Sequence, residues 1–236
     1  MRVLSICDGG GVSEFYRTLT PYRMLAEAGY ITLTQSSGYN PAIIDHLGDF
    51  DTVVFSRSDS AIHSLILMHA KAKGLLTVLD VDDNLFLLPP SIPHYRHWHE
   101  LGTAKIKPRL WHFKQNIKTA DVFTVSTEKL GAQLSYLRQD YIVMPNMVLM
   151  DDWSTIPSPE AHWKPDNERW VGWWGIYNHW DDWRDVAPYI EPVILERPDT
   201  KLFILGMPEA GHLFPRLREA VRRRRAEIRR HPRGTT

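Results

Sequence analysis

Arg2-Val3-Leu4-Ser5-Ile6-Cys7-Asp8-Gly9-Gly10-Gly11-Val12-Ser13-Glu14-Phe15-Tyr16-Arg17 is the stretch on which the fold turns. Arg2 to Ile6 is an apolar run of β type, and a glycine loop, Asp8-Gly9-Gly10-Gly11, follows it at once. Ser13 is a good helix N-cap, and Phe15, Leu19, Tyr22 and Leu25 then recur at helical spacing. The opening therefore reads strand, glycine loop, helix. Pro21 should kink or interrupt that helix, because an interior proline costs ~3 kcal/mol unless its missing hydrogen bond is accommodated. Gly29 ends it. Backbone N–H groups exposed between a first strand and a first helix favour an anion, so Gly10 and Gly11 are candidate phosphate-binding positions. Arg17, one turn into the helix, is a candidate to add its guanidinium. The loop has neither G-x-G-x-x-G spacing nor the GK[ST] ending of a P-loop, and a tight turn without ligand is the competing reading.

Outward from this stretch the alternation continues. Tyr30 to Thr34, Thr52 to Ser56, Leu75 to Leu79, Asp121 to Val125 and Tyr141 to Met144 read as strands. Helices fall over about Ser60 to Lys73, about Ala104 to Thr119 and from about Thr127, while Asp80 to Leu101 reads as loop. Strands alternating with helices predict a parallel sheet wrapped by helices. This gives an α/β fold with a Rossmann-like N-terminal lobe over 1–146. Prolines at 157, 159 and 165 mark 147–168 as an interdomain linker. The pattern then restarts: Arg169 to Trp174 as a strand closed by Gly175, Asp181 to Glu196 as a helix, Lys201 to Leu205 as a strand closed by Gly206, and Leu213 to about Arg230 as a helix. That is one β-α-β unit plus a helix over 169–236, an incomplete second Rossmann-like lobe.

The 236 residues suit one good core or two modest ones, and 43% hydrophobic with 24% charged residues excludes a disordered chain. The longest apolar runs fall short of a membrane span and the opening lacks a signal-peptide pattern, so a cytoplasmic protein is expected. The single cysteine, Cys7, reads as a small core residue. The formal net charge is zero, yet nine arginines against Glu219 and Glu227 give Arg216–Arg233 a charge of +7. That basic helix suits an acidic partner, nucleic acid or anionic lipid; a solvated end is the competing reading.

Asp80-Val81-Asp82-Asp83 places three carboxylates at the end of a strand, where open α/β sheets bind their ligands. They fit metal ligation, or sugar-hydroxyl acceptance, or plain capping. They also resemble the nucleophile and acid of haloacid dehalogenase phosphatases in Asp80 and Asp82, although that group carries Thr or Val where Asn84 stands. His94, His97 and His99 lack partners at a familiar zinc spacing. Seven of nine tryptophans fall between Trp153 and Trp183, suited either to packing or to stacking on sugars or bases. Glu219 and Glu227 fit a solvated ion-pair pattern better than catalysis.

In their order, several of these pieces resemble retaining glycosyltransferases of the GT-B fold, of the glycosyltransferase family 4 type. The matching residues are Gly10-Gly11-Val12 with Phe15-Tyr16-Arg17, Pro21, Leu25 and Gly29; Val78-Leu79-Asp80-Val81-Asp82-Asp83 with Pro89 and Pro93; Ala120 to Glu128; Met144-Pro145-Asn146; and Val171 to Gly175 with His179, Asp182 and Leu205-Gly206. The resemblance implies transfer of a glycosyl unit from a nucleotide-sugar, as donor substrate, to an acceptor. It puts the acceptor at the first lobe and most of the donor at the second. Gly10, Gly11 and Arg17, with Gly175 and His179, would contact the donor, and Asp82 or Asp83 would take the catalytic position; no metal or other cofactor is implied. The family's paired glutamates before Ala-x-Gly-x-Pro are missing, since Ile228-Arg229-Arg230-His231-Pro232 follows Glu227, and the second lobe reads as truncated. The alternative function is a non-catalytic binding module of the same ancestry that contacts nucleic acid or a protein.

Overall fold

The computed structural model describes residues 1–7, 12–37, 40–92, 95–99, 107–148, 167–175, 179–206 and 212–221. The chain divides into two compact units, one of Met1–Leu88 with Tyr95–Asp151, the other of Pro89–His94 with Asp152–Thr236.

The first unit is a six-stranded parallel sheet of β1 (Arg2–Cys7), β2 (Thr32–Ser37), β3 (Thr52–Ser56), β4 (Leu76–Val81), β5 (Val122–Val125) and β6 (Ile142–Val143). Its spatial order is β2-β1-β3-β4-β5-β6. The chain leaves β1 toward β2, then crosses back to β3, so the strand order reverses between β1 and β3. Such a reversal opens a crevice at the carboxyl ends of the two strands.

Alternation along the strands divides the sheet into two chemically different faces. Leu4, Ile6, Val53, Phe55, Leu79, Val81, Phe123 and Val125 point to one side. They pack with Ile66 and Leu67 of α4 (Ala61–Ala72) and Phe113 and Ile117 of α6 (Arg109–Thr119). Phe55 and Phe113 are fully buried, and truncating either to alanine in such packing costs ~3–5 kcal/mol. The opposite face carries Val3, Val54 and Val78, packed with Ile31, Leu33, Tyr22 and Ala26. Toward the carboxyl ends this face turns polar, with Ser5, Ser56, Asp80 and Thr124 all buried.

Caps set the helix starts. Ser60 accepts the His63 N–H at 3.2 Å at the head of α4, and Thr127 accepts the Leu130 N–H at 3.1 Å at the head of α7 (Glu128–Leu134). Each satisfies a backbone donor that the first helical turn leaves without a partner. Short helices α3 (Ile43–His46) and α5 (Tyr95–His99), and 3₁₀ turns at Leu47–Asp49 and Leu85–Leu87, complete the unit.

Several boundaries differ from the sequence reading. Pro21 does interrupt its helix, by widening it: α1 (Val12–Glu14) passes through a π turn, Phe15–Leu19, into α2 (Thr20–Glu27), where Pro21 takes a first-turn position. The Thr20 N–H reaches back five residues to the Phe15 carbonyl. Pro21 has no N–H for the next bond, and its ring crowds the preceding turn, so the wider turn relieves both defects. The second strand starts at Thr32 and not Tyr30, because Tyr30 closes the Gly29 turn (φ 78°) with its N–H on Leu25 O. Asp80 and Val81, read as loop, belong to β4, where Asp80 pairs in register with Ser56 of β3. The loop stretch also contains α5.

Among its described residues the second unit has two parallel strands, β7 (Arg169–Trp174) and β8 (Thr200–Leu205), with α8 (Trp180–Glu196) between them in the chain. Trp183, Ala187 and Phe214 form its core with Trp173, Ile190, Leu202 and Ile204 around them. Residues 215–221 are helical, and buried Glu191 of α8 accepts the Leu217 N–H at 2.8 Å, where the helix would otherwise leave that donor unmet. Gly206 (φ 90°) and Gly175 abut: a Cβ on Gly206 would lie 2.1 Å from the Gly175 carbonyl oxygen.

Candidate functional site

Arg57 follows β3 directly, at the switch point, and has a φ of 47°, the one non-glycine residue with positive φ among those described. A left-handed backbone costs a side-chain-bearing residue roughly 1–2 kcal/mol, so the surroundings must hold it. Its N–H donates to the Asp80 carbonyl at 3.1 Å. Its guanidinium donates from Nε to Asp82 Oδ1 (2.8 Å) and from Nη2 to Asp82 Oδ2 (3.1 Å), Asp83 Oδ2 (2.7 Å) and Ser13 Oγ (2.7 Å). One arginine thus ties the ends of β3 and β4 to the start of α1.

The loop beneath is pinned from the other face. Asp59 forms a two-point ion pair with Arg109 of α6, Nε to Oδ2 at 3.0 Å and Nη2 to Oδ1 at 3.2 Å. Asn116 Nδ2 donates to Ser58 O and Oγ at 3.1 and 2.9 Å. The Asp59 N–H donates to His63 Nδ1 at 3.3 Å. Ser58, Asp59, His63 and Asn116 are all buried, so α6 and α4 fix the conformation in which Arg57 leaves the strand.

A second arginine sits below. Arg17, on the π turn, is 1% exposed and Asp80 2%. Its Nε and Nη2 donate to Asp80 Oδ2 (2.9 Å) and Oδ1 (2.5 Å), and Nη1 to the Met144 carbonyl and to Asn146 Oδ1 (3.2 Å). Thr124 Oγ1 adds a hydrogen bond to Asp80 Oδ1. Burial pushes the Asp80 carboxyl above the usual carboxylate range, with Arg17 and Thr124 opposing it. Neighbouring Tyr22 is pushed up to about 12, by burial first and the Asp80 charge second.

The aspartates therefore part in role. Asp80 does not emerge from the sheet: it is a buried strand residue occupied by Arg17, and a phosphatase nucleophile needs an accessible carboxylate. Asp82 is mostly buried, its side chain 12% exposed, whereas that of Asp83 is 59% exposed. Burial works to raise the Asp82 pKa, but the Arg57 hydrogen bonds and charge, with Ser13, hold it below the ordinary value. Asp82 is thus an ionised carboxylate at neutral pH, devoted to Arg57, and Asp83 is the one that faces solvent.

Gly10 and Gly11 lie outside the described residues. Arg17, read as a phosphate ligand, is enclosed and paired. In the second unit, Gly175 donates its N–H to Leu205 O at 3.1 Å, and a Cβ there would run into the Trp173 ring at 2.4 Å. His179 stands exposed at the N-cap of α8, with Nδ1 2.9 Å from Asp182 Oδ2 and its ring at 73° to that of Trp173. Of the histidine cluster, His94 and the His97 side chain are outside the described residues. His99 stacks on Tyr95 at 4.2 Å and pairs through Nε2 with Leu85 O. Among the described residues no group of three His, Cys, Asp or Glu is placed to hold a metal. Trp173 and Trp183 pack edge to face in the core, while Trp170 stacks on Phe203. Arg57 escaped the sequence reading, although its place after the buried strand Thr52–Ser56 marks a position where open sheets put ligand-facing groups.

The six-stranded parallel sheet, with helices between successive strands and a cluster of polar side chains at its switch point, defines the chain as an α/β protein with a Rossmann-like fold. Among solved structures, Anabaena Alr3699/HepE, in complex with UDP and glucose, shares that fold at a TM-score of 0.52 and 10% identity, over 94% of this chain. The match spans 66% of that protein, about two thirds of its length. The 5-methylthioribose transporter solute binding protein from Thermotoga lettingae TMO, in complex with 5-methylthioribose, also aligns, at 10% identity over 93% of this chain and 64% of that one, but its TM-score of 0.31 supports no argument. No protein-family model and no curated protein sequence matches the chain. No helix among the described residues is long and apolar enough to cross a membrane.

Proposed function

We propose that this chain is a glycosyltransferase-type protein of the GT-B kind, which takes part in moving a glycosyl unit from a nucleotide-sugar to an acceptor with retention at the anomeric carbon. The observation that carries this reading is the Arg57–Asp82–Asp83–Ser13 group at the β1/β3 reversal, on a fold shared with a protein solved with UDP and glucose. The first unit belongs to the acceptor side and the second, with Gly175 and His179, to the donor side.

In the transfer, an acceptor hydroxyl oxygen bonds to the anomeric carbon as the bond from that carbon to the diphosphate breaks. The hydroxyl proton passes to the departing phosphate. Asp83 contributes an exposed carboxylate that accepts a hydrogen bond from a neighbouring hydroxyl of the acceptor and so orients the reacting oxygen. Asp82 and Arg57 keep that carboxylate in place. Arg17 and Asp80 are the buried support beneath them.

The test is turnover of radiolabelled nucleotide-sugars, scored for hydrolysis or transfer. The reading expects label released or transferred by the wild type and a loss of about a hundredfold or more in Asp83→Asn. No turnover of any donor by the folded chain would turn the argument toward a binding module of the same ancestry.

A further inference from the structure

We infer that the outer face of the α4 and α6 helix layer in the first unit docks on an anionic lipid surface, lying along it without crossing it. The reasoning starts from α4. His63, Ile66, Leu67 and Ala70 are its buried side. Ala61, Leu65, Met68 and Ala72 recur at spacings of four, three and four, so they share the opposite side, and all four are exposed. Leu65 is 43% exposed and Met68 63%. A helix against solvent normally carries charged residues on that side, and one that is apolar all round is normally buried.

The charge beside this stripe points to what covers it. α6 packs next to α4, with Ser64 Oγ and His112 Nδ1 3.1 Å apart. Its outer side carries Trp111, Lys114 and Lys118, with Lys107 just before the helix, and all four are exposed. Lys107 Nζ lies 5.8 Å from the centre of the Trp111 ring. Lys73 is exposed at the C-cap of α4, and Lys71 pairs with Asp121. Neither helix contains an aspartate or glutamate, and Asp59, just before α4, is buried against Arg109. An apolar stripe flanked by lysines and a tryptophan is the composition of helices that lie in a membrane interface, with the apolar side at the acyl boundary and the ammonium groups at lipid phosphates. A nucleic acid would engage the lysines and leave Leu65 and Met68 without apolar contact. A second copy of these helices would bring no carboxylate to meet the lysines.

The experiment is flotation of the full chain with vesicles of phosphatidylcholine alone and of phosphatidylcholine mixed with phosphatidylglycerol. No nucleotide-sugar is present, so the result stands whether or not turnover is found. The chain should float with the mixed vesicles and not with phosphatidylcholine alone. Each lysine near an anionic surface is worth about fivefold in partitioning, so Lys114→Glu/Lys118→Glu, at exposed positions, should weaken binding by about twentyfold or more. Leu65→Ser/Met68→Ser should weaken it by about tenfold. Because the arginine-rich stretch Arg216–Arg233 also suits anionic lipid, contact is read locally. A polarity-sensitive fluorophore on Met68→Cys, in a Cys7→Ser background, should shift to the blue on adding mixed vesicles. The inference is overturned if that fluorophore does not respond, if either double variant floats like the wild type, or if phosphatidylcholine alone binds equally well. It is also overturned if single-stranded DNA produces the same shift, or if the wild type is a dimer that Leu65→Ser/Met68→Ser converts to monomer.

Discussion

Replacing Arg57 by alanine and by glycine separates two things this residue does. Both substitutions remove the guanidinium and leave the mostly buried Asp82 carboxylate without its bidentate partner. Charged hydrogen bonds of this kind contribute ~1.5–3 kcal/mol each when buried, and partial exposure reduces that, so about 3 kcal/mol is a fair loss for the set. Only the glycine variant relieves the backbone at φ 47°. That relief of roughly 1–2 kcal/mol is partly offset by the greater freedom of glycine in the unfolded chain, leaving about 1 kcal/mol in favour of Arg57→Gly. With a urea dependence of ~2 kcal/mol/M, the glycine variant should unfold at about 0.5 M higher urea than the alanine variant, both below wild type. Amide exchange at Val54 and Val78, in the buried strands beside the site, reports the first unit alone. An alanine variant as stable as the glycine variant would refute the claim that the surroundings hold Arg57 in an unfavourable conformation.

The Asp82 carboxyl, held low in the folded chain, contributes stability that is present above its ordinary value of 3.8 and lost as pH falls through the lowered folded value. Acid titration of unfolding should therefore show a fall in stability near and below pH 4 that is shallower in Arg57→Gly. Asp80→Asn leaves a buried guanidinium facing a neutral amide and should cost about 3–5 kcal/mol in urea unfolding; Arg17→Met/Asp80→Leu should recover most of the loss. Gly206→Ala puts a methyl group against the Gly175 carbonyl in a left-handed backbone. It should destabilise the second unit by about 2 kcal/mol or more, read by fluorescence of buried Trp183.

How far the sequence was legible follows from which interactions are local. The β1 run, the capped helices after Ser60 and Thr127, and the strand Thr52–Ser56 were all readable, because apolar period and capping chemistry act within a few residues. The 43–49 helical turns went unread, since four helical residues and a 3₁₀ turn make too short a periodic signal. The aspartates were recognised as a group, but their separate roles were not. Asp80 and Asp82 are two residues apart on a strand end, yet one lies under the sheet's helix-covered polar face with Arg17 while the other closes on Arg57. Arg109 and Asn116 carried no signal of their own, because their partners Asp59 and Ser58 are 50 and 58 residues away along the chain.

The linear order of residues determined that strands alternate with helices, that the strands are buried and therefore parallel, and that the chain contains a second β-α-β pattern after a proline-rich stretch. Hydrophobic periodicity is a property of neighbours, so it survives in one dimension. Only the tertiary structure decided that β1 lies between β2 and β3, that Arg57 leaves the sheet at that reversal, and that each of two arginines is assigned its own aspartate. Ion pairing depends on a few ångströms of separation in space, and sequence distances of 25 for Arg57–Asp82 and 63 for Arg17–Asp80 become contacts only when the sheet brings its strand ends together.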